Sequence, residues 1–216
     1  MRDHAILWDL DGVIVDTGEL HFNAWKQTLD TVGFHLTDAD FARVNGMNNK
    51  RIILTLLGNK ASEAEIKNLA DKKESIFRSQ KEFCKLFPHV REWLEFFKTK
   101  QCKQAVASSA PQINIDLLMD QFQIKNYFDL LQSSEGMAGK PDPQLFLTVA
   151  AKLDVPQENC LVIEDSIAGI RAAKQAGMKC LALATSYPVT ELKQADLVRA
   201  DLTKVTEQDI NFLLEI

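Results

Sequence analysis

The stretch AILWDLDG, residues 5–12, decides the fold. Its short apolar run, Ala5–Leu10, gives way to acidic residues and Gly12, a pattern typical of a buried strand that stops at a loop. Similar runs follow at Gln104–Ser108, Cys160–Ile163 and Cys180–Ala184. The sequence therefore predicts four buried strands, the first of which carries carboxylates at its end.

Amphipathic helical patterns flank the later three strands. They cover Glu92–Thr99, Pro111–Gln121, Gln144–Lys152 and Ile167–Gln175. Strands that alternate with helices form a parallel sheet with right-handed crossovers. We therefore predict an α/β fold whose core is a doubly wound parallel sheet.

The segment between the first and second strands breaks this alternation. It contains four helical patterns and no convincing strand, and it ends in a polar, lysine-rich helix over Ser62–Glu82. Pro88 is then expected in the first turn of the helix that resumes the α/β pattern. We predict a helical cap domain at residues 17–87, inserted into a catalytic core domain of residues 1–16 and 88–216.

Composition restricts the class of protein. The chain has 216 residues, 46% of them hydrophobic, which suffices for one domain with a sizeable insertion. Its net charge is −5, and its basic residues are spread among acidic ones, so we expect no nucleic-acid partner. We see no secretory signal and no run of roughly 18 to 20 apolar residues that would span a membrane. We expect a cytoplasmic monomer whose four cysteines are reduced.

Reactive residues gather near the carboxyl ends of the predicted strands, where ligands bind in an open parallel sheet. They are Asp9 and Asp11 after the first strand, Ser108 and Ser109 at the second, Glu164 and Asp165 at the third, and Lys140 in a proline-rich turn before a helix. Mg²⁺ prefers carboxylate oxygens and keeps waters and phosphate oxygens as its remaining ligands. This set of residues predicts a site that holds a phosphoryl group through Mg²⁺, with the lysine and the serine hydroxyls on the phosphate.

Asp9 is the candidate nucleophile. Once the charge of the phosphate is neutralised, the Asp9 carboxylate can attack phosphorus and form an aspartyl-phosphate. Asp11 lies on the same side of an extended strand, so its carboxyl can protonate the leaving oxygen and then deprotonate the incoming water. That role requires a pKa raised from roughly 3.9 toward neutrality. We expect Asp9 and Asp165 to bind the metal directly and Glu164 to bind it through a water.

Each motif also has a purely structural interpretation. The two acidic motifs can cap helices, the serine pair before Ala110-Pro111 is also typical of a helix N-terminus, and residues 139–143 can form a proline-stiffened turn. All four motifs occur at strand ends in this order, which favours the functional interpretation.

Together these motifs resemble those of the haloacid dehalogenase superfamily over essentially the whole chain. The segment Asp9–Val13 is similar to its first motif, Ser108 to its second, Lys140 to its third and Glu164-Asp165 to its fourth. The resemblance implies that Asp9 is both nucleophile and metal ligand. It also implies that Asp11 is the acid/base group, with a backbone carbonyl that contacts the metal, and that Asp165 is a metal ligand.

True haloacid dehalogenases lack the second aspartate of the first motif and need no metal. Asp11 and the Glu164-Asp165 pair therefore argue against dehalogenation. Phosphoryl transfer remains as the expected chemistry.

The start of the predicted cap is similar to that of β-phosphoglucomutases and related sugar phosphatases. Thr17, His21 and Trp25 lie in this matching segment, and Lys73 falls where the cap lysine of the mutase is expected. The resemblance implies that these residues and Asn49 contact the substrate. Structural alternatives are His21 as a polar neighbour of Trp25, Trp25 as cap core, and Lys73 as part of a solvated helix face.

Other positions depart from the mutase. Asn48-Asn49 stands where the mutase carries an arginine for its second phosphate, and Ala110-Pro111-Gln112 stands where it has serine, lysine and asparagine. A mutase needs a second anion site as good as the first, so these losses favour hydrolysis. We predict a Mg²⁺-dependent phosphatase of a small phosphorylated metabolite. A β-phosphoglucomutase and a non-catalytic sugar-phosphate sensor are the alternatives.

Overall fold

The fold is given by a computed structural model that describes residues 1, 3–58 and 61–215. The strands are β1 (Ala5–Trp8), β2 (Val15–Asp16), β3 (Lys85–Leu86), β4 (Lys103–Ser108), β5 (Leu130–Ser133), β6 (Cys160–Glu164), β7 (Lys179–Leu183) and β8 (Leu197–Arg199). The helices are α1 (Gly18–Asp30), α2 (Asp38–Val44), α3 (Asn49–Leu57), α4 (Glu63–Ser79), α5 (Val90–Thr99), α6 (Gln112–Gln121), α7 (Gln144–Leu153), α8 (Ile167–Gln175) and α9 (Glu207–Leu214).

The main sheet has the strand order β5-β4-β1-β6-β7-β8, and all its pairings are parallel. From β1 the chain continues to β4 on one side, whereas from β6 it continues to β7 on the other side. The two neighbours β1 and β6 therefore flank a topological switch point, where open α/β sheets bind their ligands. The prediction of a doubly wound parallel α/β fold is confirmed.

Alternating side chains of β1 bury both faces of the sheet. Ile6 and Trp8 pack with apolar residues of α5, α6 and α9. Ala5 and Leu7 face the opposite side and pack with α7 and α8. All four side chains are fully buried, as expected for a central parallel strand covered by helices on both faces.

We call residues 17–87 the cap segment. Its helices α1 to α4 pack around an apolar core of their own, which includes Trp25, Leu29 and Ile53. Two helices begin with a capping box: the side chain of Thr37 accepts from the Asp40 N–H in α2, and that of Ser62 accepts from the Glu65 N–H in α4. Every helix among the described residues is too short or too polar to span a bilayer.

The structure corrects several sequence predictions. The sequence analysis missed the edge strands β5 and β8, which are short and mostly half-buried, so they lack a continuous apolar run. The prediction that the cap segment contains no strand is wrong, because β3 pairs antiparallel with β2 next to the first motif. Pro88 does not lie in the first turn of α5, which begins at Val90 after His89 in a left-handed conformation.

Candidate active site

The acidic residues meet at the switch point between β1 and β6. In the register of these strands Trp8 lies beside Ile163, and the N–H of Asp9 donates to the Ile163 carbonyl at 2.9 Å. Asp9 therefore leaves β1 next to the position where Glu164 ends β6. The parallel pairing thus brings two sequence-distant carboxylates to the same edge of the sheet.

Lys140 reaches this edge from the segment between β5 and α7. Its Nζ donates to Asp9 Oδ1 at 2.7 Å and to Glu164 Oε1 at 2.6 Å, and its side chain is fully buried. Burial alone lowers the pKa of Lys140, but the two carboxylates outweigh burial and raise it. Lys140 is therefore a buried cation that fixes one oxygen of Asp9.

Glu164 uses both carboxylate oxygens within the protein. Its Oε1 accepts from Lys140, and its Oε2 accepts from the N–H groups of Asp165 and Ser166 and from the Ser166 hydroxyl, each at 2.9 Å. A Cβ on Gly169 would lie only 1.7 Å from Oε1, so the first turn of α8 packs directly against the carboxylate. Glu164 therefore supports Lys140 and the loop that carries Asp165.

The acidic group carries more negative charge than Lys140 can balance. Carboxylate oxygens of Asp9, Glu164 and Asp165 all lie within 4.8 Å of one another. Burial raises the pKa of Asp9 to about 7, with a partial offset from Lys140 and a further increase from Glu164. Burial and the neighbouring carboxylates also raise the pKa of Asp165 well above its usual value. Such a group could hold a cation, and its hard oxygen ligands fit Mg²⁺.

The loop after β7 supports Asp165 and Gly12. The hydroxyl of Ser186 donates to Asp165 Oδ2, and Thr185 Oγ1 donates to the Gly12 carbonyl at 2.6 Å. Gly12 has a φ of 84°, and a Cβ there would lie 1.9 Å from Asp165 Oδ2. The position therefore requires glycine for both its conformation and the close approach. Thr185 and Ser186 lie outside the motifs that the sequence analysis identified.

Asp11 is engaged by the cap segment. Thr17 Oγ1 donates to Asp11 Oδ1 at 2.6 Å, and His21 Nε2 lies 3.0 Å from the same oxygen. Burial raises the pKa of Asp11, but the contacts with His21 and Thr17 outweigh burial and lower it to about 2. The acid role requires a raised pKa, whereas in this arrangement the side chains of the cap segment stabilise the ionised form of Asp11.

The two predicted serines have different surroundings. Ser108 is buried, and its Oγ accepts from the Ala110 N–H at 3.0 Å. Ser109 lines a cavity beside the acidic residues, and its Oγ donates to the Gly46 carbonyl of the cap segment at 2.8 Å. The hydroxyl of Tyr187, in the loop after β7, likewise donates to the Ala42 carbonyl. These contacts hold the cap segment against the sheet.

The cavity between the sheet edge and the cap segment has a volume of about 50 Å³. The predicted site residues that line it are Asp9, Asp11, His21, Trp25, Asn49, Lys73, Ser109 and Asp165. The lining residues that the sequence analysis missed include Phe41, Asn45, Met47, Ile52 and Glu74. Small-molecule pockets usually measure roughly 300 Å³ or more. The cap segment is therefore closed over the site.

Lys73 is buried, with 3% of its surface exposed, so the interpretation as a solvated helix face is wrong. Its Nζ donates to Glu74 Oε1 at 2.7 Å and lies over the rings of Trp25 and Phe77, 5.7 and 5.3 Å from their centroids. The ring of His21 stacks on Phe77 with 4.2 Å between centroids. Trp25 belongs to the core of the cap segment and also lines the cavity, so the interpretation as cap core is confirmed and substrate contact stays a prediction.

The sequence pattern of the haloacid dehalogenase-like hydrolases matches residues 6–183, which include the nucleophile candidate and the acidic pair. The chain belongs to this family.

This haloacid dehalogenase-like hydrolase is similar to proteins of two named activities. A phosphorylated carbohydrates phosphatase from Thermotoga maritima is 34% identical over 180 residues, which cover 81% of this chain and 82% of the relative. A beta-phosphoglucomutase from Bacillus subtilis is 32% identical over 214 residues, which cover 94% and 91%. The crystal structure of a beta-phosphoglucomutase from Clostridium difficile superposes with a TM-score of 0.88 at 26% identity and covers 100% of this chain and 98% of that one.

Proposed function

We propose that this haloacid dehalogenase-like hydrolase is a phosphatase that acts on a small phosphorylated metabolite, in particular a sugar phosphate. The observation that carries the proposal is the hydrogen bonding of the two Asp9 carboxylate oxygens. Its Oδ1 is held by Lys140, and none of the described residues hydrogen-bonds its Oδ2, which leaves that oxygen available to attack phosphorus. The similarity to a phosphorylated carbohydrates phosphatase supports the same conclusion.

The proposed reaction has two steps. First, Asp9 Oδ2 forms a bond to phosphorus while the ester bond between phosphorus and oxygen breaks, and the leaving oxygen takes a proton from Asp11. Second, water attacks phosphorus, its proton passes to Asp11, and inorganic phosphate leaves as the Asp9 carboxylate is restored. We assign Ser108, Ser109 and Lys140 to binding of the phosphoryl group.

Asp11 must carry a proton in the first step, yet the contacts of the closed cap segment lower its pKa to about 2. His21 belongs to α1, so opening of the cap segment removes the contact that contributes most to this lowering. We propose that opening raises the pKa of Asp11 above its value in the closed arrangement, which favours uptake of the proton before the first step. In the closed arrangement its ionised carboxylate is ready to accept the proton of the attacking water.

We propose Mg²⁺ as the cofactor, held by the carboxylates of Asp9 and Asp165 and the backbone carbonyl of Asp11. The excess negative charge of the acidic group supports this assignment. When bound, Mg²⁺ shields the charge of the phosphoryl group from the attacking carboxylate. Glu164, which we expected to reach the metal through a water, contributes by fixing Lys140 and the Asp165 loop.

We also propose that residues 17–87 form a cap domain that opens and closes over a core domain of residues 1–16 and 88–216. The small closed cavity supports this, because a sugar phosphate enters only when the cap moves. Closure excludes bulk water from the reacting phosphate. Opening would break the contacts of Ser109 and Tyr187 with the cap segment.

Asp9→Asn tests the mechanism directly. An amide cannot form the acyl-phosphate, so we expect phosphate release from sugar monophosphates to fall by at least about 10³-fold with the circular dichroism spectrum unchanged. Asp154→Asn is the matched control, because Asp154 is exposed and its left-handed conformation, with φ at 53°, also suits asparagine. Near wild-type activity of Asp9→Asn would overturn the proposed mechanism.

A further inference from the structure

Glu74 is a buried carboxylate that the proposed chemistry does not use. It lines the cavity, and only 4% of its surface is exposed. Lys73 Nζ and Asn49 Nδ2 donate to its Oε1 at 2.7 and 2.8 Å. Asn114 Nδ2, from α6 beneath the cap segment, donates to its Oε2 at 2.6 Å. Donors from three helices therefore fix the carboxylate in place.

A further contact fixes the donor on the core side. Arg78 Nη1 donates to Asn114 Oδ1 at 3.2 Å, which orients the amide so that its NH₂ group faces Glu74. Arg78 and Glu74 both lie on α4, one helical turn apart. Glu74 thus cannot swing away from Lys73 without breaking a connected network.

The network cancels the positive charge at the cap end of the cavity. Among the described residues that line the cavity, Lys73 is the one lysine or arginine, and it is paired with Glu74. His21, the histidine of the lining, is hydrogen-bonded to Asp11. A second phosphate at this end would meet an ion pair without net charge, and the cavity is also lined by the carboxylates of Asp9, Asp11 and Asp165. This arrangement opposes the binding of a bisphosphate.

The same end of the cavity offers hydrogen-bonding groups suited to hydroxyls. Lys73 has three N–H donors and uses one of them on Glu74. Asn49 donates its amide to Glu74, and none of the described residues donates to its Oδ1. The side chain of Asn45 also lines the cavity.

We propose that Lys73, Glu74, Asn49 and Asn45 form a hydroxyl-binding subsite for the unphosphorylated end of the substrate, and that Glu74 makes this subsite reject a second phosphate. The inference rests on the proposed phosphatase function and narrows its substrate class to monophosphates of polyhydroxylated compounds. It also explains how water, in place of a second phosphorylated sugar, becomes the acceptor.

The test compares the binding of the monophosphate and the bisphosphate of the same sugar. Fructose 1-phosphate and fructose 1,6-bisphosphate are titrated with Mg²⁺ into the Asp9→Asn variant by calorimetry, so that binding is measured without turnover. We expect the monophosphate to bind at least about tenfold more tightly. Adding Glu74→Gln leaves Lys73 unpaired, and the ratio of the two dissociation constants should shift by about tenfold or more toward the bisphosphate.

A second variant and a matched control complete the design. Asn45→Lys adds a cation to the lining without disturbing Glu74, and it should shift the ratio in the same direction. Glu63→Gln removes an equal charge from an exposed ion pair with Lys50, outside the cavity lining, and should leave the ratio within about twofold. Circular dichroism confirms that each variant is folded.

A failure of the proposed subsite can be distinguished from a failure of the proposed function. If a folded Glu74→Gln protein leaves the ratio unchanged, or if the Asp9→Asn protein without further changes binds both sugars equally, the subsite is wrong whatever reaction the enzyme catalyses. If the wild-type protein releases no phosphate from any monophosphate, the proposed function fails instead, and that result comes from a separate turnover assay.

Discussion

Lys140→Met tests the charge arrangement beneath the nucleophile. Methionine is close to lysine in length but carries no charge, so the substitution removes the cation and leaves the space filled. In the native protein Lys140 Nζ lies 2.7 Å from Asp9 Oδ1 and 2.6 Å from Glu164 Oε1, and all three side chains are buried. The variant leaves two buried carboxylates facing each other without their shared partner.

Removing one partner of a buried ion pair costs about 3–5 kcal/mol of unfolding free energy, because the remaining charge is uncompensated. The two lost contacts do not simply add, since Asp9, whose pKa burial already raises to about 7, can take up a proton and relieve part of the repulsion. We therefore expect a loss of about 3–5 kcal/mol in total. In a chain of this size that corresponds to a fall in Tm of roughly 6–20 °C.

Urea unfolding followed by circular dichroism measures this loss. Lys174→Met is the matched control, because Lys174 pairs with Asp196 at 2.6 Å but the two side chains are 36% and 23% exposed. That variant should lose less than about 1 kcal/mol. A Lys140→Met protein within about 1 kcal/mol of wild type would refute the claim that Lys140 compensates two buried carboxylates.

Three further predictions concern stability and reactivity. Burial raises the pKa of Glu74, but its ion pair with Lys73 outweighs burial and lowers the pKa below the ordinary value of 4.5. Ionised Glu74 therefore contributes its full stabilisation of the fold at pH values above 4.5, and this contribution is lost as the pH falls below 4.5. Glu74→Gln should therefore lose less stability than wild type between about pH 5 and pH 3 in urea titrations. Gly169→Ala should lower the free energy of unfolding by about 1–3 kcal/mol in thermal melts, because the added Cβ would lie 1.7 Å from Glu164 Oε1. In the control variant Gly18→Ala the added Cβ meets no atom within 4 Å, so its stability should be unchanged or increased. Burial raises the pKa of all four cysteine thiols, so native protein should react slowly with Ellman's reagent at about pH 8, and fast reaction of any thiol before unfolding would contradict this.

The centre of the fold could be predicted from sequence because its elements carry strong local patterns. β1 is apolar on both faces, and α8 was predicted with its observed bounds, Ile167–Gln175. The Ser166 side chain caps that helix by accepting from the Gly169 N–H at 3.0 Å. β8 has only three half-buried residues and pairs with a single neighbour, so its sequence carries no comparable pattern.

In the candidate site, too, some residues could be predicted from sequence and others could not. Asp9 and Asp165 could be placed together because each follows an apolar strand and parallel strands end at one edge. The place of Glu74 in the site could not be predicted, because it depends on a hydrogen bond with Asn114, which lies 40 residues away on another helix. The direction of the Asp11 pKa shift likewise depends on which side chains the cap segment brings near, and no spacing rule encodes those contacts.

The most direct test of the central claim is phosphorus NMR of the wild-type protein with Mg²⁺ and a panel of sugar monophosphates. The panel includes β-glucose 1-phosphate primed with glucose 1,6-bisphosphate, the condition under which a mutase would act. We predict a growing signal of inorganic phosphate and loss of the sugar phosphate. Formation of glucose 6-phosphate without free phosphate would contradict the phosphatase and establish the mutase.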